Sequence, residues 1–340
     1  MSVRDLLTLR PEGLYCPSGD FYVDPLRPVH RALITHGHAD HARAGHGSVL
    51  ATGETLAIME ARYGAHFCAT RQPVRYGEKL RIGDTDVAFH PAGHVLGSAQ
   101  IAIDGMKNKE RGRIVVSGDY KRTADPTCTP FEPVRCDIFI TEATFALPVF
   151  RQPDVAGEIS KLLRSTQIFP DRAHLVGCYS LGKAQRIAAL IRAAGWDRPL
   201  YLHGAMEKLM ALYESHGISF AETIKVTAAN KKELAGEIVL CPPSSLADTW
   251  SRGFPDPIAC FASGWMRIRA HARRRGIELP LVVSDHADWG ELTQTIVETR
   301  CEEVWITHGE ADALMHWAAM RQLRARPLHL IGYGEEEQGE

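Results

Sequence analysis

Residues 32–46 read ALITHGHADHARAGH. An apolar, β-type run stops there at three histidines and an aspartate, His36, His38, Asp40 and His41, inside six residues. Imidazole and carboxylate groups are costly to crowd at the edge of a core unless something binds them together. The stretch therefore constrains the fold: a strand has to end where polar side chains converge. His36 and His38 are two apart, so on a strand or extended loop they point to one side and can share a cation. Asp40 and His41 follow where the chain is expected to turn into a helix, so they point elsewhere and can serve a second cation. A nitrogen and oxygen donor set without thiolate suits zinc, with manganese or iron also compatible. Sites rich in histidine and carboxylate tend to keep a position open for water. A solvated polar loop is the bland alternative, but H-x-H-x-D-H directly after an apolar strand favours metal binding.

Four other stretches finish a strand-like run on a ligand-type residue: His94 in HPAGHVLGSA, Asp119 in VVSGDY, His286 in VVSDHAD and His308 in WITHGE. Any of these alone reads as a hydrogen-bonded core or surface residue. Together with the cluster they imply strand tips gathered along one rim. His30, His46, His66, His90 and His203 have no such setting and stay unassigned.

The rhythm of the chain changes twice. From residue 20 to about 140 it is strand-rich, with FYVD, RALITH, SVLAT, VAFHPAG, AQIAI, RIVVSGD and CDIFITEA separated by turn signals. DGMKNKERGR is expected to be an exposed hairpin loop. After Phe150 helices and strands alternate: DVAGEISKLLRS behind an Asp N-cap, AHLVGCYS, GKAQRIAALIRAAG, PLYLHG, AMEKLMALYESHG and PIACFASG. Such alternation predicts parallel βαβ units. PLVVSDHADW, a helix over WGELTQTIVETR, EVWITHGE, a helix through ADALMHWAAMRQLRA and a strand LHLIG then follow. The expected organisation is a first domain in two parts, 1–150 and 271–340, interrupted by an inserted α/β domain over 151–270.

Composition bounds the partners. The 340 residues suffice for two domains, and 45% hydrophobic with 24% charged residues is ordinary for a globular chain. A net charge of −2 gives no global attraction for polyanions, so nucleic acid would be gathered by local patches or bound cations. No apolar run approaches the roughly 18 residues of a membrane helix, and MSVRDLLTLRPEG lacks a signal core. The expectation is a cytoplasmic protein without membrane contact. Its eight scattered cysteines include no C-x-x-C pair, against a thiolate zinc finger or a disulfide scaffold. The acidic tail GEEEQGE reads as a frayed end.

In motif order the chain resembles the β-CASP nucleases of the metallo-β-lactamase superfamily, over nearly its whole length. Asp24 in YVDP matches the first motif, HGHADH the second, His94 the third and Asp119 the fourth. FITEATF supplies the acidic Glu142 that follows the fourth motif, and SDHAD and THGE match the last two histidine motifs. YSLGKAQRIAALI resembles the start of a helix characteristic of the β-CASP domain. The compact length and the wording VVSDHADW are similar to the bacterial DNA-ligase-associated exonucleases. His308 departs from DNA-acting eukaryotic members, which carry an apolar residue there, and agrees with RNA-processing members.

The resemblance implies an α/β fold, a metallo-β-lactamase αββα sandwich with an inserted β-CASP parallel α/β domain. It implies that His36, His38 and His94 hold one metal, that Asp40, His41 and His308 hold the other, and that Asp119 bridges. Asp24 would orient the histidine loop. Two divalent cations, zinc first and manganese second, would activate a water for attack on phosphorus, with Asp40 and Asp119 part of the catalytic set. His286 would be the general acid, oriented and kept protonated by Glu142. Ser180, Gly182 and Lys183, between a strand and a helix, are candidate phosphate ligands, with Ser263 and Gly264 a weaker pair. The arginines of RIRAHARRRG (Arg267, Arg269, Arg273, Arg274 and Arg275) could track a nucleic-acid backbone.

The leading expectation is a two-metal DNA exonuclease in repair, with DNA preferred over RNA and DNA ligase or helicase repair proteins as partners. An RNA-processing ribonuclease is the first alternative. A small-molecule metallo-hydrolase and a metal-bound scaffold without activity are the others.

Overall fold

The computed structural model describes residues 3–107 and 110–328. These form two compact units, one built from residues up to Arg151 together with those from His286 on, the other from Gln152–Asp285. The first unit opens with β1 (Thr8–Arg10), β2 (Gly13–Cys16), β3 (Phe21–Val23), β4 (Arg31–Leu33), β5 (His46–Thr52) and β6 (Cys68–Val74), paired in sequence order as one six-stranded sheet. Helix α1 (Gly53–Tyr63) joins β5 to β6, and the Thr52 side chain caps it by accepting the Thr55 N–H. Next come β7 (Lys79–Ile82), β8 (Thr85–Pro91), β9 (Ala99–Lys107), β10 (Glu110–Val116) and β11 (Ile138–Thr141). β9 and β10 consume most of the expected loop DGMKNKERGR: Asp104 pairs with Arg113 and Gly105 with Gly112. Strand pairing satisfies those backbone groups, so the polar residues ride on strands rather than on a loop.

The second unit contains α2 (Val155–Ile168), β12 (His174–Gly177), α3 (Lys183–Ala193), β13 (Leu200–Leu202), α4 (Glu207–Ser215), β14 (Thr223–Lys225), β15 (Ile238–Cys241), β16 (Ile258–Ala262), α5 (Arg269–Arg274) and β17 (Leu279–Leu281). Its six strands lie in the order β14-β13-β15-β12-β16-β17, and every pairing is parallel. The continuous buried runs of β12 and β15 suit a sheet covered on both faces. β17 pairs with β16, so residues 271–285 pack with this unit, whereas the sequence reading starts the returning segment at 271.

The chain then completes the first unit with α6 (Trp289–Thr299), β18 (Glu303–Ile306), α7 (Asp312–Ala319) and β19 (Arg324–Pro327). The resulting seven-stranded sheet has the order β19-β18-β11-β10-β9-β8-β7. The expected helix through residue 325 stops at Ala319. Gln322 takes a left-handed backbone (φ 58°), and the chain enters β19 at Arg324, ahead of the expected strand LHLIG. Only Leu328 of that strand, and none of the tail GEEEQGE, lies within the described residues.

Strand alternation explains the layers. Ile101, Ile103, Ile114, Val116, Ile138 and Ile140 meet Leu14, Phe21, Val23, Leu33 and Leu50 of the other sheet in one core. The intervening Ala102, Val115 and Phe139 face Trp289, Leu292, Ile296 and Leu314 on the helical side. Ala32, Val49 and Ala51 pack against Leu56 and Met59 of α1. The first unit is therefore an αββα sandwich, its two sheets buried against each other and each covered by helix. No helix among the described residues is long and apolar enough to cross a membrane. No disulfide joins any of the eight cysteines.

Candidate metal centre

In the seven-stranded sheet β8, β10, β11 and β18 run the same way, and each leads directly to a titratable residue: His94, Asp119, Glu142 and His308. In the other sheet β3 and β4, also parallel, lead to Asp24 and the His36–His41 loop. Carboxyl ends of strands from both sheets thus gather the residues that are scattered in sequence. The segment after His38 is a single turn, with His41 and Ala42 N–H donating to the His38 carbonyl at 3.2 and 2.7 Å. It does not continue into the expected helix. Gly45 adopts φ +94° and β5 starts at His46, which ends the turn at once.

His36 Nε2 lies 3.1 Å from His38 Nδ1, and His94 Nε2 lies 3.0 Å from the same atom. Asp119 Oδ2 is 3.4 Å from His36 Nε2, 3.5 Å from His41 Nε2 and 3.8 Å from His94 Nε2. Ring nitrogens about 2.0–2.1 Å from a tetrahedral zinc sit about 3.3 Å apart, so this spacing has the scale of a coordination edge. The ligand atoms of His36, His38, His94 and Asp119 all fall within 4.8 Å of one another. His41 Nε2 is 3.6 Å from Asp40 Oδ2, and its ring centre is 5.2 Å from that of His308. One carboxylate oxygen therefore reaches both histidine groups, as a bridging ligand must.

Electrostatics points the same way. Burial, then the charge of His41, pulls the His36 pKa down to about 4, and the same two causes pull His308 to about 4. Both rings are thus neutral, the form that binds metal. For His41 burial opposes charge, but Asp40 and Asp119, aided by hydrogen bonds to Asp119 and Asp24, carry its pKa well above the ordinary value. Asp119 is driven well below the carboxylate range against its burial, by His41 first and then by hydrogen bonds from His36 and His41. A field that favours a proton on His41 favours a divalent cation in its place. The donor set, nitrogen and oxygen with no thiolate, fits such ions.

Supporting bonds fix the candidate ligands. His41 Nδ1–H donates to Asp24 Oδ2 at 2.8 Å, which leaves Nε2 directed at Asp119. Asp24 also accepts the Thr35 N–H (2.8 Å) and hydroxyl (2.6 Å), so one buried carboxylate orders the whole histidine loop. Asp24 and His308 hold left-handed backbones, φ 42° and 51°, a strained choice for residues with a Cβ. Ser98 Oγ accepts the His94 and Val95 N–H groups at 3.0 and 3.2 Å. At Gly118 (φ +56°) a Cβ would lie 2.7 Å from the Thr35 side chain, so only glycine lets the Asp119 loop approach. Thr35 and Ser98 escape a search for ligands, although a hydroxyl beside or four residues after a ligand histidine is a readable turn signal.

Glu142 is fully buried. Its Oε1 accepts the Tyr120 N–H at 2.8 Å and its Oε2 accepts the His286 Nδ1–H at 2.9 Å. Burial raises its pKa more than the charge and hydrogen bond of His286 lower it. The His286 ring centre is 4.7 Å from that of His94, so the pair borders the histidine cluster. The Tyr120 partner is a backbone group, invisible in the sequence.

In the second unit the five candidate phosphate ligands follow neighbouring parallel strands, Ser180, Gly182 and Lys183 after β12, Ser263 and Gly264 after β16. Several of their groups bond internally. Gly182 N–H donates to Gln185 Oε1 at 2.7 Å, and Ser263 Oγ accepts the Trp265 N–H at 3.2 Å. Lys183 is buried, with Nζ 2.5 Å from Asp285 Oδ1.

The chain is similar, at 30% identity over 333 residues, to a probable DNA ligase of Opitutus terrae, matching 96% of this chain and 31% of that protein. It is 28% identical to ribonuclease TTHA0252 of Thermus thermophilus over 60% of this chain and 53% of that one. It is 22% identical to cleavage and polyadenylation specificity factor subunit 3-I of Arabidopsis thaliana, over 86% of this chain and 54% of that one. In motif order, donor geometry and these relatives the chain is similar to the β-CASP group of the metallo-β-lactamase superfamily. It spans about a third of the first of these relatives and about half of the other two. No protein-family model matches it. A solved structure of a protein of unknown function from Enterococcus faecalis V583 shares the fold, with a TM-score of 0.58 at 15% identity, over 89% of this chain and 80% of that one.

Proposed function

We propose that this protein is a two-metal phosphodiesterase, a DNA exonuclease that works in repair beside a DNA ligase. One observation carries the reading: Asp119 Oδ2 lies 3.4 Å from His36, 3.5 Å from His41 and 3.8 Å from His94, reaching both histidine groups, and the His286–Glu142 pair stands beside them. His36, His38 and His94 are assigned to one cation, Asp40, His41 and His308 to the other, and Asp119 to both. Zinc is the assigned ion, with manganese as substitute. Bound there, two divalent cations supply an activated water and offset charge on the phosphate.

The chain's own residues do the rest. Asp24 holds His41 in the tautomer that leaves Nε2 for a ligand role. Glu142 fixes the His286 ring through Nδ1, and His286 gives a proton to the leaving oxygen. Ser180, Gly182, Ser263 and Gly264 are assigned to the strand's backbone, at the carboxyl edge of the parallel sheet where α/β folds bind ligands. Lys183 joins them only on leaving Asp285. DNA as substrate, and a ligase as partner, draw support from the probable DNA ligase that matches 96% of the chain.

A second reading keeps the chemistry and changes the polymer. The ribonuclease and the cleavage and polyadenylation factor among the relatives, and His308 itself, favour RNA. The test is a metal-supplemented digest of end-labelled DNA and RNA strands of matched sequence, with His286→Ala as control. Shortening of DNA from one end, faster than RNA, is the expected result. RNA cleaved much faster would overturn the substrate, and a thioester cleaved with every polynucleotide intact would overturn the nuclease. A repair role in the cytoplasm beside a ligase predicts co-purification of ligase from native cells.

A further inference from the structure

Residues 145–150 form a loop whose ends are pinned and whose tip is apolar. Phe145 and Phe150 are buried with ring centres 5.0 Å apart, and the Phe145 ring meets the His286 ring edge-on at 6.2 Å. Ala146 N–H donates to the Ala143 carbonyl at 3.2 Å, Phe150 N–H to Leu147 at 2.9 Å, and Trp289 N–H to Phe150 at 3.0 Å. The next strand-end loop locks the base: at Gly309 (φ +74°) a Cβ would come within 2.2 Å of the Ala143 carbonyl. Between these anchors Leu147, Pro148 and Val149 are all exposed, Leu147 by 37% and Val149 by 55%. Loop tips are ordinarily polar, and three consecutive exposed apolar residues cost solubility unless they meet something. Leu147 is two residues from Phe145, within about 7 Å of chain, so the tip stands at the rim of the centre that holds His286.

From this geometry we infer that Leu147 and Val149 pack against the nucleobase of the nucleotide being removed and set its position over the metal centre. This rests on the phosphodiesterase reading. A strand whose phosphate enters the metal edge must put the attached base nearby. The ligand cluster is built of imidazole and carboxylate, and the pinned tip adds an exposed apolar contact for that base. Aliphatic side chains serve this purpose elsewhere by wedging against base steps, and such contact is indifferent to sequence because every base has an apolar face. The contact is a positioning one, and its loss appears in KM more than in kcat.

The experiment compares the full chain with its Leu147→Ser/Val149→Ser variant on two single strands, one intact and one abasic at the terminal nucleotide. Binding of both strands is measured with chelator present, and KM and kcat with metal. The unaltered protein is expected to prefer the intact strand by about fivefold in affinity and in KM, the effect of roughly 40 Å² of apolar surface removed from water. The variant is expected to treat the two strands alike while its thermal melt stays within error. Equal preference for the intact strand in both proteins would overturn the inference, and so would a variant that loses a dimer but keeps the preference. Hydrolysis of bis(p-nitrophenyl) phosphate by the unaltered protein separates the two ideas. If the protein is inert on that ester and on every polynucleotide, the phosphodiesterase reading fails and the nucleobase contact with it. If the ester is cleaved but abasic and intact strands are equal, the nucleobase contact alone fails.

Discussion

Each unit brings parallel strands to a carboxyl edge and lines that edge with polar residues, yet the two edges close differently. In the second unit the groups find partners within the unit. Lys183 pairs with Asp285, Arg186 Nη1 donates to the Ser284 carbonyl at 2.8 Å, and Gln185 caps the start of α3. In the first unit Asp119, Asp40, His41 and their neighbours stay a concentration of carboxylate and imidazole whose pKa values are pushed apart. Ligand-type residues at a strand end therefore say little until their partners are counted. In the second unit the partners are a lysine, an amide and backbone groups, which order the edge by themselves. In the first they are imidazoles gathered around a shared carboxylate, a donor set that suits a metal.

The sharpest way to break this contrast is Asp119→Ala. Removing the shared carboxylate should lower metal content in elemental analysis and cut phosphodiester hydrolysis by at least about 10³-fold, because several kcal/mol of charge stabilisation leaves with the metals. Metal content and rate near those of the unaltered protein would erase the difference between the edges. His286→Ala should keep both metals and lose about 10²–10⁴ in kcat, the usual worth of a positioned general acid. A drop in metal content as large as the drop in rate would move His286 into the ligand set.

The second edge is probed by Lys183→Met, which takes the lysine away from the buried Asp285 carboxylate. A loss of about 3–5 kcal/mol in denaturant unfolding is expected. A loss near zero would mean that the lysine is free for phosphate after all. Asp24→Asn should weaken metal affinity by about 10–100-fold, read by competition with a chromophoric chelator, since Asp24 only orients His41 and Thr35. The smallest effect is expected from His174 in the second unit, whose pKa is lowered by burial and which lies 2.8 Å from Ser165 Oγ. A base depressed in the folded state binds its proton more readily when unfolded. Its contribution to stability is full above about pH 6.5 and falls as pH drops below that value. His174→Gln should flatten that slope in melts taken across pH 5–7.

How much of this was legible in the sequence depended on how local the signal was. His36, His38, Asp40 and His41 announce themselves because they are contiguous and follow an apolar strand. His94, Asp119 and His308 are legible as strand ends, and the strand alternation of residues 101–103, 114–116 and 138–140 fixes which face of each strand is buried. Glu142 is not legible that way: its nearest meaning is a loop cap, and only the motif order lifts it. Asp40 and His41 misled the helix expectation because a single turn and the start of a helix share the same residues, and Gly45 decides between them downstream. The Lys183–Asp285 pair spans 102 residues and has no sequence signature at all. Nor has the Tyr120 N–H that holds Glu142, since every residue but proline carries that donor.

The most direct measurement is anomalous diffraction from crystals of the chelated protein soaked with zinc, with data collected on both sides of the zinc edge. The account predicts two peaks about 3.5–4 Å apart with Asp119 between them, one against His36, His38 and His94, the other against Asp40, His41 and His308. A map with no peak among these residues, or with zinc bound only elsewhere, would contradict it.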